Sequence, residues 1–466
     1  MNGLYVHVPF CVSKCDYCDF YSLANRLDLV PAYVDAVLKE AQAHAGLSFE
    51  TLYLGGGTPS LLGVANLARL IGGLKEIFDL SGLVEATIEV NPESASEDWL
   101  RSALDLGFGR VSVGVQSLSD YELRSVGRAH TANQAVEAVS RVVGMGFKDV
   151  SADVIVGLPG QTLDGVSREV QDASCRESEG VSHSHLNPGC LKRVQEQVPA
   201  KGLGVSPTTC HCEPFSEHSE EKAKQSPLPE IAASPSAPRK DRVGEAWWGL
   251  RGLKEGSGAV SPESLRRMLE GLTGLGVSHF SVYCLSLEPG TRLAADPPDD
   301  LPSDDDQADL FEEARWLLEE QGFIHYEISN FCLPGRECRH NLNYWRGGEY
   351  LGLGPAAASH LGGRRWKNRA DLLAYIRDPS GVVDEVEELG LKEKAAEEAM
   401  LRLRLLGEGL AAGEMVRRFG EDGTQELFSR LNGLVAEGLL TCDGSVYRLA
   451  RSQVLVSNPI FSRVLG

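Results

Sequence analysis

Three cysteines stand close together near the start of the chain, in Cys11-Val12-Ser13-Lys14-Cys15-Asp16-Tyr17-Cys18, a C-x3-C-x2-C run. Thiolates are soft ligands, and three on one short loop can hold three irons of a [4Fe–4S] cluster while the fourth iron stays open to another ligand. An open iron suits redox chemistry on a bound molecule. A structural zinc site is the competing reading, but it wants a fourth protein ligand at tetrahedral spacing. The nearest candidate, His7, falls in the apolar run ahead of the loop.

Further residues have types that would serve a ligand beside such a loop. Gly55-Gly56-Gly57-Thr58-Pro59-Ser60 is a turn whose glycines allow close backbone approach. Glu89, Gln116 and Asp153 sit in or at the ends of short β-branched runs, and Arg128, in Val126-Gly127-Arg128-Ala129-His130, offers a guanidinium suited to a bidentate grip on a carboxylate. Taken one at a time, each of the first three reads equally well as a solvated strand cap, and an isolated arginine reads by default as a surface residue. A second constellation lies far along the chain, in His340-Asn341-Leu342-Asn343-Tyr344-Trp345, followed by Tyr350-Leu351-Gly352-Leu353-Gly354-Pro355. Taken alone, a histidine beside aromatic rings reads as a packed core residue. His360, Cys332 and Cys338 flank the motif and read as buried core groups.

The elements that must position these residues follow from periodicity. Residues 4–8, 51–54, 86–90, 110–115, 150–156 and 279–285 read as strands, and the amphipathic stretches 31–46, 61–78, 97–106 and 132–144 as helices. That alternation predicts parallel βα units in an α/β fold, a partial (β/α)6 barrel with ligands at the carboxyl ends of its strands. The pattern breaks over 165–260, which is rich in Pro and Ser and reads as a disordered insertion, a functional loop and a retained intron fitting it equally. Its His183/His185 and Cys210-His211-Cys212 pairs lack an ordered scaffold to make a metal site. The acidic, Pro-rich stretch 297–309 reads as a solvated linker ahead of a helix at 308–321. Two helical patterns and an Asp443-Gly444 hairpin close the chain in a winged-helix-like order, without a Lys/Arg-rich recognition helix. The expected division is therefore 1–164, first part of the barrel; 165–260, insertion; 261–380, barrel completion with the histidine-aromatic motif; and 381–466, a C-terminal helical, winged-helix-like unit.

Composition narrows the classes of function. In 466 residues, 45 Lys and Arg against 66 Asp and Glu give a net charge of −21, which disfavours nucleic acid and anionic lipid as partners. No stretch approaches the roughly 18 unbroken apolar residues of a membrane span. Eleven unevenly spaced cysteines argue for a reduced compartment rather than a disulfide scaffold. Neither a signal nor a transit peptide is visible ahead of residue 4.

The cysteine triplet, with Tyr17 before its third member, resembles the radical S-adenosylmethionine (SAM) superfamily, in which the open iron chelates SAM and its reductive cleavage yields a 5′-deoxyadenosyl radical. The motifs in this order resemble one branch, the oxygen-independent coproporphyrinogen III oxidase family and its close relatives the HemW-type haem chaperones, over residues 3–165 and 261–466. The resemblance implies a [4Fe–4S] cluster on Cys11, Cys15 and Cys18, and SAM held by Tyr5, Tyr17, Gly56, Gly57, Thr58, Glu89, Gln116, Arg128 and Asp153. It also implies haem on His340, because the family's HN-x-x-YW motif matches here. True oxidases of the family carry a further cysteine two residues past the third, where this chain has Phe20, and an N-terminal extension for which residues 1–3 leave no room. Both departures favour the chaperone branch. The expected function is a haem carrier that passes haem to acceptor haemoproteins, respiratory ones included, with a SAM core that regulates rather than catalyses. The rival readings are a coproporphyrinogen III oxidase and a radical SAM methyltransferase. By the same resemblance the location is mitochondrial, with the cytoplasm as the alternative.

Overall fold

The computed structural model describes residues 2–161 and 262–466. The expected insertion and its histidine and cysteine pairs lie outside the described residues. A twelve-stranded sheet dominates: β1 (Asn2–Val8), β2 (Thr51–Gly56), β3 (Glu85–Val90), β4 (Arg110–Gln116), β5 (Asp149–Val156), β6 (His279–Cys284), β7 (Ile324–Glu327), β8 (Asn330–Cys332), β9 (Glu349–Leu353), β10 (Ala358–Leu361), β11 (Arg364–Asn368) and β12 (Val383–Glu387). Its order is β12-β11-β10-β9-β1-β2-β3-β4-β5-β6-β8-β7. The strands from β9 through β6 run parallel, and both flanks turn antiparallel.

All six expected parallel strands are present, and the helices expected between them return each strand to the next as a partial barrel. The helix Ala132–Gly144 shows why these segments fold as read. Thr131 and Gln134 form a reciprocal capping box, and Ala135, Val136, Ala138, Val139 and Val142 supply one buried stripe. β4 is buried along all seven residues, because helices cover one face and a cavity lies on the other.

The sheet exceeds the expected six strands. β9, drawn from Tyr350-Leu351-Gly352-Leu353, adds a seventh parallel strand beside β1, and β10 to β12 continue it as a meander. The acidic stretch is not a linker up to residue 309. The helix there starts at Asp304, because Ser303 and Asp306 make a capping box and three aspartates in the first turn complement the helix dipole.

At the C-terminus, the helices Leu391–Leu403, Ala412–Ala436 and Ser457–Leu465 pack with a three-stranded sheet, Leu410–Ala411 with Leu440–Asp443 and Val446–Leu449. The hairpin turns at Gly444, whose φ of +66° favours glycine. These elements bury a second core that also draws Tyr326, Cys332, Leu342 and Trp345 from ahead of residue 381.

Candidate functional site

Backbone hydrogen bonds fix the cysteine loop at the carboxyl end of β1. The N–H of Gly57 donates to the Val8 carbonyl at 2.8 Å and that of Thr58 to the Phe10 carbonyl at 2.7 Å, so the glycine turn clasps the chain just before Cys11. Further along, the Asp16 N–H donates to the Val126 carbonyl at 3.0 Å, which ties the loop to the turn carrying Arg128. Cys11, Cys15 and Cys18 are each half-buried and line one cavity of about 200 Å³. Side chains of five consecutive strands, β2 to β6, line the same cavity, so the sheet wraps around it.

Tyr17, Gly56, Gly57, Glu89, Gln116, Arg128 and Asp153 all line this cavity. The sequence scatters these seven residues over 137 positions, and the parallel strands bring them to one mouth. Two of the expected contacts, Tyr5 and Thr58, are not in the wall. The Tyr5 hydroxyl lies 3.0 Å from His7 Nδ1, and the other nitrogen of that ring bonds the Tyr21 carbonyl at 2.8 Å. Thr58 is buried, accepting from Asn91 Nδ2 at 2.8 Å and donating to the Cys11 sulfur at 3.8 Å. Both residues brace the wall instead of forming it.

The glycines answer to the protein's own packing. A Cβ on Gly56, whose φ is +104°, would stand 2.5 Å from the His7 ring, and one on Gly57 would stand 2.5 Å from the Phe10 carbonyl oxygen. The close approach that the sequence pattern demands is therefore between β1 and β2, whatever else comes near the turn.

Charge in the cavity is sorted by burial. Burial pushes Glu89 up to about 7 against the opposing hydrogen bond that Tyr53 donates at 2.6 Å, and it raises Asp153, which accepts from Ser112 at 3.0 Å. Burial and then the neighbouring Cys15 push the Cys18 thiol up to about 12. The cation beside them is Arg128: burial alone would lower it, but Tyr17, Cys15 and Glu93 keep it charged. Its Nη2 donates to Gly114 O at 2.8 Å and Asn91 Oδ1 at 3.0 Å, Nη1 has only longer contacts to Cys15 (3.5 Å) and Tyr17 (3.4 Å), and the buried Nε has no hydrogen-bond partner. The guanidinium thus retains donors for an anion. Gln116 adds strain at the same wall, being a buried non-glycine residue at φ +63°. Asn91 and Tyr53 were not singled out from the sequence; the Asn-Pro that follows β3 was the available signal for the first, and none marked the second.

Among the described residues no three His, Cys, Asp or Glu side chains gather closely enough to hold a single metal ion. A four-iron cluster spreads its cysteine corners, and three thiols around one cavity wall fit that larger group.

His340 does not line this cavity. Its helix, Arg339–Trp345, begins where the Glu85 carboxylate accepts the N–H groups of Arg339 and His340 at 2.9 and 3.0 Å, at the amino ends of the strands and opposite the cysteine loop. The imidazole is 1% exposed, its Nδ1 lies 2.9 Å from Thr51 Oγ1 and its Nε2 2.8 Å from the Tyr344 hydroxyl, and burial depresses it to about 3. Neither nitrogen is open to iron. Tyr344 and Trp345 are buried too, and Trp345 packs in the second core under the Arg404 guanidinium, 4.9 Å from its ring. Here the motif joins the barrel's amino end to the C-terminal core. His360 is fully buried, as expected.

Residues 5–173 match the model of the radical SAM superfamily. Over the whole chain the sequence is 27% identical to the haem chaperone HemW of Lactococcus lactis, covering 97% of that protein, and 26% identical to HemW of Bacillus subtilis, covering all of it. The chain is similar along its whole length to proteins named haem chaperones. A zebrafish relative, "Radical S-adenosyl methionine domain-containing protein 1, mitochondrial", is 27% identical over 76% of this chain and 59% of its own length. Among solved structures, the coproporphyrinogen III oxidase HemN of Escherichia coli shares the fold, with a TM-score of 0.69 at 20% identity over 99% of this chain and 89% of that one. The HemW-type relationship extends across both cores, and the HemN likeness covers the same span. Among the described residues no helix is long and apolar enough to cross a membrane.

Proposed function

We propose that this chain is a haem chaperone whose barrel cavity holds a [4Fe–4S] cluster on Cys11, Cys15 and Cys18 with SAM beside it, and that it delivers haem to acceptor haemoproteins. The observation that carries this reading is the full-length likeness to proteins named haem chaperones. Phe20 agrees with it: the residue in the position where the family's oxidases place a further cysteine lines the cavity as an apolar ring. A bound cluster supplies a low-potential electron and one open iron. In the protein, Arg128 offers unspent guanidinium donors to a carboxylate, Glu89 and Asp153 offer buried acceptors to hydroxyls, and Gly56 and Gly57 keep backbone at the wall. Tyr5, through His7, and Thr58, through Asn91 and Cys11, position these groups. Haem is taken up apart from His340, whose nitrogens are already bonded. The zebrafish relative supports a mitochondrial location, with the cytoplasm as the alternative.

A paired anaerobic assay tests the reading. Cluster-loaded protein should take up haem saturably and pass it to an apo-haemoprotein, while coproporphyrinogen III supplied with SAM and a low-potential reductant stays unconsumed. Turnover of coproporphyrinogen that disappears in Cys11→Ser would establish the oxidase instead, and methylated product from labelled SAM a methyltransferase.

A further inference from the structure

A haem carrier needs an imidazole that can reach iron. His44 is distinct among the described histidines: it is half-buried, and its ring takes no hydrogen bond, whereas the others are buried or hydrogen-bonded. It follows the helix Val30–Gln42 on the outer surface, away from the cavity, and its ring lies parallel to the indole of Trp366 on β11, with centroids 6.0 Å apart and 13° between planes. Arg364, on the same strand, stands with its guanidinium 6.0 Å from the Trp366 ring, is exposed, and makes no ion pair. Val386 pairs directly with Trp366 across the strands and is 49% exposed, and Leu47, one turn beyond His44, is 36% exposed.

We propose that His44 is the axial ligand of an exchangeable haem site built with Trp366 and Arg364. The proposal rests on the haem-carrier reading and assigns the ligand that His340 does not supply. The stack on Trp366 holds the His44 ring in one orientation. Leu47 and Val386 give the macrocycle aliphatic contact. Arg364 has no carboxylate of its own and can pair with a propionate, which matters on a chain of net charge −21. Burial lowers the affinity of His44 for a proton, which favours the neutral form that ligates metal. One half-exposed ligand with an open opposite face also suits a carrier that must release its cargo.

The test is a titration of ferric haem into the full, cluster-loaded chain, followed by its Soret band, for the wild type, His44→Ala and Arg364→Glu. His44→Ala should weaken binding at least tenfold and lose the imidazole-ligated spectrum, and free imidazole should restore that spectrum. Arg364→Glu should weaken binding with the ligated spectrum kept. Iron-free protoporphyrin, which needs no axial ligand, should bind the wild type and His44→Ala within about twofold of each other. The same affinity and spectrum in His44→Ala would overturn the assignment alone. A wild type that never saturates with haem would instead overturn the carrier reading beneath it.

Discussion

Arg128 Nη1 lies 3.5 Å from the sulfur of Cys15, placing the cavity's buried cation directly against the cysteine loop. The residues come from the turn after the short helix Asp120–Ser125 and the loop after β1, and the bond from Asp16 N–H to Val126 O holds those segments together. One guanidinium thus faces the thiols on one side and open cavity on the other.

Replacing Arg128 with Met keeps much of its volume and removes the charge. A charge-assisted pair to a carboxylate contributes more than a neutral hydrogen bond, so SAM affinity should fall by about tenfold or more. Iron content should change little, because the thiols remain. Equilibrium binding of labelled SAM beside an iron assay measures both.

Gly57→Ala should cost about 3 kcal/mol or more, since the new methyl meets backbone carbonyls at Phe10 and Val8 that have no rotamer to yield. Gly72→Ala, on a helix with nothing near the added methyl, should be neutral or stabilising. Thermal unfolding of the two variants separates local crowding from a general intolerance of alanine.

Four buried carboxyl groups, Glu40, Glu89, Glu122 and Glu327, are each pushed by burial up to about 7 from 4.5. The unfolded chain releases these protons first, so the native state holds more of them between pH 4.5 and about 7, and stability falls as pH rises through that window. Glu122 isolates the effect, because it lies outside the cavity and accepts from Ser117 at 2.5 Å and Gln161 at 2.8 Å on one oxygen. Glu122→Gln mimics its neutral form. The variant should gain stability at pH 8, on the order of 3 kcal/mol as an upper bound, and change little at pH 4.5. Denaturant melts at the two pH values give the comparison, and an equal change at both would contradict the assignment.

Trp345→Ala should destabilise the C-terminal core by about 3 to 5 kcal/mol, the usual cost of emptying a buried aromatic site. If Trp345 were instead a wall for haem, the loss would appear in haem affinity with the melt unmoved. Calorimetry and haem titration on one variant decide between them.

The barrel was legible because its strands are short apolar runs separated by amphipathic helices, and period alone distinguishes the two. The cysteine triplet was legible because its ligands are local. What escaped was long-range. Tyr350-Leu351-Gly352-Leu353 reads as motif flank until β1 is seen to lack a neighbour on that side, and Tyr5 and Tyr53 share the alternation of any strand although only Tyr53 reaches the cavity. His340 is a related case: residue type announces ligand chemistry, whereas its hydrogen bonds to Thr51 and Tyr344 join residues almost 300 positions apart in one case and one helical turn apart in the other. His44 gave no sequence signal, since its partner Trp366 comes from a strand that periodicity did not reveal.

The central claim is that the cavity takes a cluster on three cysteines and SAM beside it. Anaerobic reconstitution with iron and sulfide, followed by iron analysis and electron paramagnetic resonance of the reduced protein with and without SAM, tests it most directly. We expect about four irons per chain, a spectrum that changes when SAM is added, and loss of both in Cys15→Ser. A full iron complement retained in Cys15→Ser, or a wild-type spectrum indifferent to SAM, would contradict it.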